Sequence, residues 1–295
     1  MDAAGNHSDG PGRPDLRLTR LDRLRQARSW GYSGPVSGFG AASIAGFDPV
    51  GQVFGTTVMY LGSMDFGACF VPVTGSAASV DLARASEHNP LVEQLGAARA
   101  VALENAVAEC RALGGDGIIG VRMSVVEFLS DTVKFSVEGT AVRARSRIRP
   151  GAPFTTHVSG QELAKLLHSG WMPFALVYGI AIASCHFDAS MFQQTRRRVG
   201  EDGNQEVSGY TRLVNDARRA ARRALEATAV HRGAEGTVAQ ELTLHFTERE
   251  CPRFDQRSDY MAEATILGSA LVSFERGAPA GERAPLAIMR LDRNR

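Results

Sequence analysis

The chain has 295 residues and a mass of 31.6 kDa; 44% of its residues are hydrophobic and 22% charged, with 33 Lys+Arg against 32 Asp+Glu. This length exceeds one ordinary core and suits two, and the balance of apolar and charged residues excludes a disordered polymer, a membrane-spanning protein and a basic protein that coats nucleic acid. The four cysteines, Cys69, Cys110, Cys185 and Cys251, are far apart and form no Cys-x-x-Cys pair, so reduced thiols are expected.

The opening stretch from Met1 to Pro14 has no apolar run that could act as a signal peptide, and no later segment has enough unbroken apolar residues to cross a bilayer. A cytoplasmic address is therefore expected. Between Arg13 and Arg28, the arginines Arg17, Arg20, Arg23 and Arg25 interleave with Leu16, Leu18, Leu21 and Leu24. Such a basic, partly amphipathic arm suits an acidic partner or a membrane surface, or lies as a helix on the protein's own surface. No groove-reading motif accompanies it, so sequence-specific nucleic-acid binding is not expected.

A first strand is predicted near Gln52 to Leu61. The connection Gly62 to Asn89 contains Phe66, Phe70, Val71 and Val73, too apolar for an idle surface loop, and is expected to contact neighbouring subunits of an oligomer. A helix is predicted from Pro90 to Leu113: Asn89 is a good N-cap, Pro90 suits the first helical position, and Gly114 and Gly115 supply the left-handed end. Strands follow near Ile118 to Phe128 and Thr132 to Arg145. The alternation of Val133, Phe135 and Val137 and the short connection make them an antiparallel hairpin.

Self-comparison shows that this order recurs. Ala45-Gly46-Phe47-Asp48-Pro49-Val50 matches Ser169-Gly170-Trp171-Met172-Pro173-Phe174, 124 residues on; Leu113-Gly114-Gly115-Asp116-Gly117 matches Arg232-Gly233-Ala234-Glu235-Gly236, 119 on; Gly139-Thr140-Ala141-Val142 matches Gly268-Ser269-Ala270-Leu271, 129 on. The second copy predicts a strand near Ala175 to Ser184, a connection from Cys185 to Gly209, a helix near Tyr210 to His231, and strands near Thr237 to Phe246 and Tyr260 to Phe274. The fold class is thus α+β: two tandem units, each strand, loop, helix, strand, strand, with a helix packed on an antiparallel sheet. The chain divides into an arm (1–30), a first repeat (31–148), a degenerate second repeat (149–276) and a tail (277–295). Ala98 and Ala102, like Ala217 and Ala221, should face each repeat's own sheet, whereas Ala100, Leu103 and Glu104 become Arg219, Arg222 and Arg223. The two outward helix faces should therefore meet different neighbours.

At Ala45-Gly46-Phe47-Asp48-Pro49-Val50-Gly51, Leu113-Gly114-Gly115-Asp116-Gly117-Ile118-Ile119-Gly120-Val121-Arg122 and Val137-Glu138-Gly139-Thr140-Ala141-Val142, the sequence resembles the YbjQ-like family, labelled heavy-metal-binding, and in particular its tandem actinobacterial kind. In the second copy Thr237-Val238-Ala239-Gln240 replaces the Ile-Ile-Gly-Val stretch. The resemblance implies a small unit shaped like a dodecin subunit, assembly into rings, typically pentamers, and no established activity. The label supplies no ligand set, since the matching residues are glycines and aliphatics.

Gly115-x-Gly117-x-x-Gly120 is a literal dinucleotide fingerprint, but it follows a helix and opens a strand, the reverse of the order that aims a helix N-terminus at pyrophosphate. Cys185 and His186 are the candidate metal ligands, the one place where thiol and imidazole adjoin. Neighbours on a strand point to opposite faces and two ligands are too few, although a symmetric assembly could gather copies of His186 about an axis. Glu248, Glu250 and Cys251 form a second, charged-loop candidate. His88, His157, His168, His231 and His245 show no metalloenzyme spacing, and no serine sits in a Gly-x-Ser-x-Gly elbow. Arg218, Arg219, Arg222 and Arg223, with Arg196, Arg197 and Arg198, could meet phosphate, an acidic neighbour or another subunit. The expected function is that of a non-enzymatic, self-assembling homo-oligomer, a ring or larger symmetric body. The alternative is a module whose oligomer forms pockets for a metal ion or small molecule.

Overall fold

In the computed structural model, which describes residues 20, 22–23, 26, 30–60, 90–129, 132–147, 149–186, 189–195, 206–250 and 258–274, the elements run α1 (Val36–Ile44), β1 (Phe47–Tyr60), α2 (Pro90–Ala112), β2 (Gly117–Leu129), β3 (Thr132–Ala144), β4 (Phe154–Thr155), α3 (Gly160–His168), β5 (Trp171–His186), α4 (Ala189–Thr195), α5 (Ser208–His231), β6 (Gly236–Glu250) and β7 (Ser258–Ser273). All predicted strands and both long helices are present within a few residues of their expected limits. Four short elements are additional. α1 and α3 lead into the first strand of each repeat, exactly matched helices 124 residues apart. α3 is fixed by a capping box in which Ser159 Oγ accepts from Glu162 N–H at 3.3 Å and Ser159 N–H donates to Glu162 Oε2 at 2.7 Å. The connection after β5 is also less irregular than expected, since β5 continues to His186 and α4 follows.

Sheet 1 has the order β1-β3-β2-β4, with β4 parallel to β2 and the rest antiparallel; sheet 2 has the order β5-β7-β6, all antiparallel. The duplication extends to irregularities. Register shifts fall at Pro49/Gly51 and Pro173/Ala175, and again at Ile119/Arg122 and Ala239/Leu242. Each helix also approaches its sheet over a glycine: a β-carbon on Gly55 would stand 1.8 Å from Ala102 O, and one on Gly179 2.0 Å from Ala221 O.

The sheets and helices alternate in layers. On one face of sheet 1, Val53, Phe135, Val137 and Ala141 pack on Ala98, Ala102 and Ala106 of α2. The other side of α2 meets Leu176, Ile180 and Ile182 of β5, while the intervening β5 residues Val177, Ala181 and Ala183 pack on Ala217, Ala221 and Leu225 of α5. A strand covered on both faces needs apolar residues at every position, which accounts for the unbroken run through β5. Behind sheet 1, α1 and α3 cross so closely that a β-carbon on Gly160 would lie 2.2 Å from Gly38 O; with Ile119, Val142 and Phe154 they close a small third core. The order of layers is α1 and α3, sheet 1, α2, sheet 2, α5.

This arrangement explains the divergence of the two helices. One flank of α2 packs on the second repeat of the same chain, where Arg99 is 4% exposed, while Ala100, Leu103 and the exposed Glu104 line a groove between the two repeats. Arg99 donates to Leu95 O at 3.2 Å and Thr265 Oγ1 at 3.3 Å, lies 3.5 Å from Glu263, and stacks 5.3 Å from the Phe135 ring centroid. Burial lowers its pKa and Glu263 opposes that shift. Across the same interface Tyr178 Oη donates to Gly96 O at 3.0 Å, while within the second repeat Leu176 N–H donates to Thr155 Oγ1 at 3.0 Å. The corresponding face of α5, with Arg218, Arg219, Arg222 and Arg223, is exposed. Among the described residues no helix is long and apolar enough to cross a membrane.

Candidate functional site: assembly surfaces and metal candidates

β1 alternates Phe54, Val58 and Tyr60 onto the face of sheet 1 turned away from α2, where they are 43%, 47% and 67% exposed. The pairing places Glu138 and Arg122 beside Phe54, and Lys134 and Val126 beside Val58. Val126 is itself exposed. In the second repeat the position matching Val58 is Ile182, buried beneath α2. Around Val58 the sheet face is therefore open in the first repeat and covered in the second, beyond the end that α1 and α3 cover at Ile119 and Val142, and clustered exposed apolar residues of this kind mark interaction surfaces.

The outer edge of β1 is closed differently. Phe54 N–H donates to Glu109 Oε2 at 2.9 Å, Asn105 Nδ2 donates to Thr56 O at 3.2 Å, and Arg20 donates to Gln52 O at 3.4 Å. Arg20 also pairs with Glu109 and lies 5.4 Å from the Phe54 ring centroid. Side chains of α2 and the arm thus occupy backbone groups that another strand would otherwise pair with. One arginine of the basic arm lands on its own chain. β6, by contrast, is an edge strand of sheet 2 that no described strand adjoins on its outer side, with Thr237, Ala239, Gln240 and Phe246 exposed.

A groove of about 1010 Å³ separates the two repeats on one side; Leu103, Val107, Met172, Phe174 and Tyr178 form its apolar wall, with Glu104, Arg111 and Arg232 among the polar residues.

The predicted interface residues Phe66, Phe70, Val71 and Val73 lie outside the described residues, as do Arg196, Arg197, Arg198 and Cys251. Cys185 is a half-buried thiol, not in a disulfide, opposite Tyr260, and the backbone of His186 lies opposite Asp259. Glu248 accepts from Tyr260 Oη at 3.0 Å. Cys110 is fully buried against Gly117 O at 3.4 Å, and burial pushes its thiol up to about 12, so it is no thiolate ligand. Asp116 is committed to Arg149 at 3.0 Å and to Ala144 N–H at 2.9 Å. Among the described residues no three His, Cys, Asp or Glu side chains gather as a metal site. The donors among the described residues therefore do not by themselves make a heavy-metal site.

One serine and histidine do meet, and sequence spacing gave no sign of it. Ser269 Oγ lies 2.7 Å from His157 Nδ1 and 2.8 Å from Thr156 Oγ1, and accepts from His157 N–H at 3.1 Å. Ser269 is fully buried, so its hydroxyl cannot meet a substrate; it fastens the segment before α3 to sheet 2. Burial holds the His157 pKa below the ordinary histidine value. Of the apparent dinucleotide motif, Gly115 follows α2, Gly117 opens β2 and Gly120, at φ +62°, lies within β2, while the neighbouring Gly114, at φ +72°, ends the helix.

A family model described as "Putative heavy-metal-binding", of the YbjQ type, matches residues 50–145, from β1 to the end of β3. A curated relative, the Encapsulin nanocompartment protein Rv1762c of Mycobacterium tuberculosis, is 32% identical over 201 residues, covering 66% of this chain and 70% of the relative.

Proposed function

This chain belongs to the YbjQ-like family, and from that premise we propose that it is a non-enzymatic protein that acts by assembling copies of itself into a closed ring or larger symmetric body, as an element of a protein nanocompartment. The observation that carries this reading is the unequal treatment of equivalent sheet faces, buried at Ile182 and exposed at Val58. The name of the relative, which refers to a nanocompartment, agrees with it. The assembling units are the repeats 31–148 and 149–276, the setting is cytoplasmic, and the symmetry follows the family's pentamer. Phe66, Phe70, Val71 and Val73 extend the apolar contact. The arm beyond Arg20 remains available to an acidic partner.

Charge placed in the open face tests the proposal. Val58→Asp with Tyr60→Asp should shift the oligomer to smaller species in light scattering while circular dichroism stays unchanged. An oligomer of unaltered size and stability would remove this face from the interface.

The groove favours a second reading, a pocket for a small apolar ligand with an anionic or cationic end, to which Arg111 and Arg232 or Glu104 would respond. A metal would enter only where symmetry gathers Cys185 or His186 from several copies. Elemental analysis of protein purified without a chelating tag separates the two, since a stoichiometric metal would require such a shared site.

A further inference from the structure

The chain itself contains one example of how a repeat seats on another. Residues 153–158, which lead into α3, lie along the edge of β2 in the first repeat: Phe154 N–H donates to Asp116 O at 3.0 Å and Thr156 N–H to Ile118 O at 2.9 Å, while Val121 N–H and Gly120 N–H donate back to Thr156 O at 3.0 Å and Val158 O at 2.8 Å. The Phe154 ring fills the space over Gly117, 2.2 Å from where a β-carbon would be, and meets Phe47 edge-on at 5.7 Å. Phe154 is 6% exposed. The same segment is tied to its own sheet through His157 N–H and Ser269 Oγ.

The matching segment of the first repeat, 124 residues earlier, is Trp30 to Gly34. It is held on its own sheet by the equivalent bond, Ser33 N–H to Thr140 Oγ1 at 2.8 Å. Trp30 takes the place of Phe154 but is packed differently: it stacks on Phe39 at 4.9 Å and is 51% exposed. At the other end of the chain, sheet 2 carries the complementary receptor. Gly236 corresponds to Gly117, yet a β-carbon there would find nothing nearer than the Trp171 ring at 3.5 Å. Val238 is half-buried where Ile119 is buried, and Trp171 is half-buried where Phe47 is buried. Among the described residues, no strand adjoins this edge of β6.

We infer that the Trp30–Gly34 segment of one copy lies along β6 of the next, with Trp30 over Gly236, so that copies join head to tail through the contact that already joins the two repeats within a chain. The intramolecular register then sets Tyr32 N–H against Thr237 O and Gln240 N–H against Tyr32 O. Such a contact is heterologous: one patch is spent on each side, and repetition closes a ring when the rotation permits. The inference rests on the self-assembly reading and names its interface. The competing occupant of the β6 edge is the tail, whose Ala284-Pro285-Leu286 repeats Ala152-Pro153-Phe154.

The test is a full-length double variant, Trp30→Cys with Gly236→Cys, in a background with Cys69, Cys185 and Cys251 changed to Ser. Mild oxidation should give a ladder of covalent multimers on a non-reducing gel, absent from either single variant. A cross-link confined within one chain, or none while the oligomer persists, overturns the head-to-tail contact and leaves self-assembly standing; a monomer in the unmodified protein overturns both. Two further measurements guard against a folding defect in that variant. Trp30→Glu should weaken assembly about tenfold or more, as loss of a buried interface tryptophan does, and should expose the Gln240 amide to hydrogen exchange. If deletion of residues 284–295 exposes that amide and Trp30→Glu does not, the tail is the occupant and the proposal fails.

Discussion

At Gly55 and Gly179 the missing side chain is what lets each helix lie on its sheet. A methyl group at Gly55 would meet Ala102 O at 1.8 Å and Ala106 N at 2.6 Å, backbone atoms that can retreat only if the helix moves. Gly55→Ala or Gly179→Ala should therefore cost about 3 kcal/mol in chemical denaturation. Gly40→Ala, which would meet nothing within 4 Å, is the control; equal midpoints for all three would contradict the packing described. His157 supplies a pH dependence. Burial, the largest influence, depresses its folded pKa against the opposing effects of Glu162 and the Gly268 backbone. The unfolded chain takes up a proton near the ordinary value of 6.5 and the folded chain does not, so stability is fully present above that pH and is lost as pH falls below it. The melting temperature should fall between about pH 7.5 and about pH 5.5, and His157→Gln should flatten that slope; identical slopes would count against a buried neutral imidazole.

At the scale of elements, β1 is a long edge strand kept from pairing with other chains by side chains. Removing Glu109 leaves Phe54 N–H without its acceptor and Arg20 without its carboxylate. Glu109→Ala should cost about 1 to 3 kcal/mol, read by denaturation, and raise light scattering on standing, because an uncovered edge recruits strands. A variant as stable and as clear as the parent would show the edge needs no cover. The duplicated order of strands and long helices was legible in the sequence because strand alternation, the Asn89-Pro90 start and the Gly114-Gly115 stop are local signals. α1 was not, since its short glycine- and alanine-containing sequence has no side-chain cap and forms a helix chiefly by crossing α3 at Gly38 and Gly160, whereas α3 does carry a local signal in the Ser159–Glu162 capping box. The role of β4 was hidden for a similar reason: two residues become a strand only when Phe154 finds the empty space over Gly117. Of the candidate sites, the adjacency of Cys185 and His186 was visible, whereas the contact of Ser269 with His157 joins positions 112 residues apart and has no sequence signature.

At the scale of the whole molecule, a duplicated unit has been used asymmetrically. The first repeat gives one flank of its helix to the second repeat and leaves its outer sheet face open around Phe54, Val58 and Tyr60; the second covers its sheet on both faces and turns an arginine-bearing helix outward. Neither the charged helix face nor the open β6 edge has a match on its own chain among the described residues. A molecule built in this way has distinct ends, which suits assembly with further copies better than it suits a self-sufficient monomer. Native mass spectrometry of the full chain, purified without a metal-chelating tag, tests that claim most directly. The account predicts one discrete homo-oligomer whose mass is a whole multiple of the chain with no metal retained; a monodisperse monomer at micromolar concentration would contradict it.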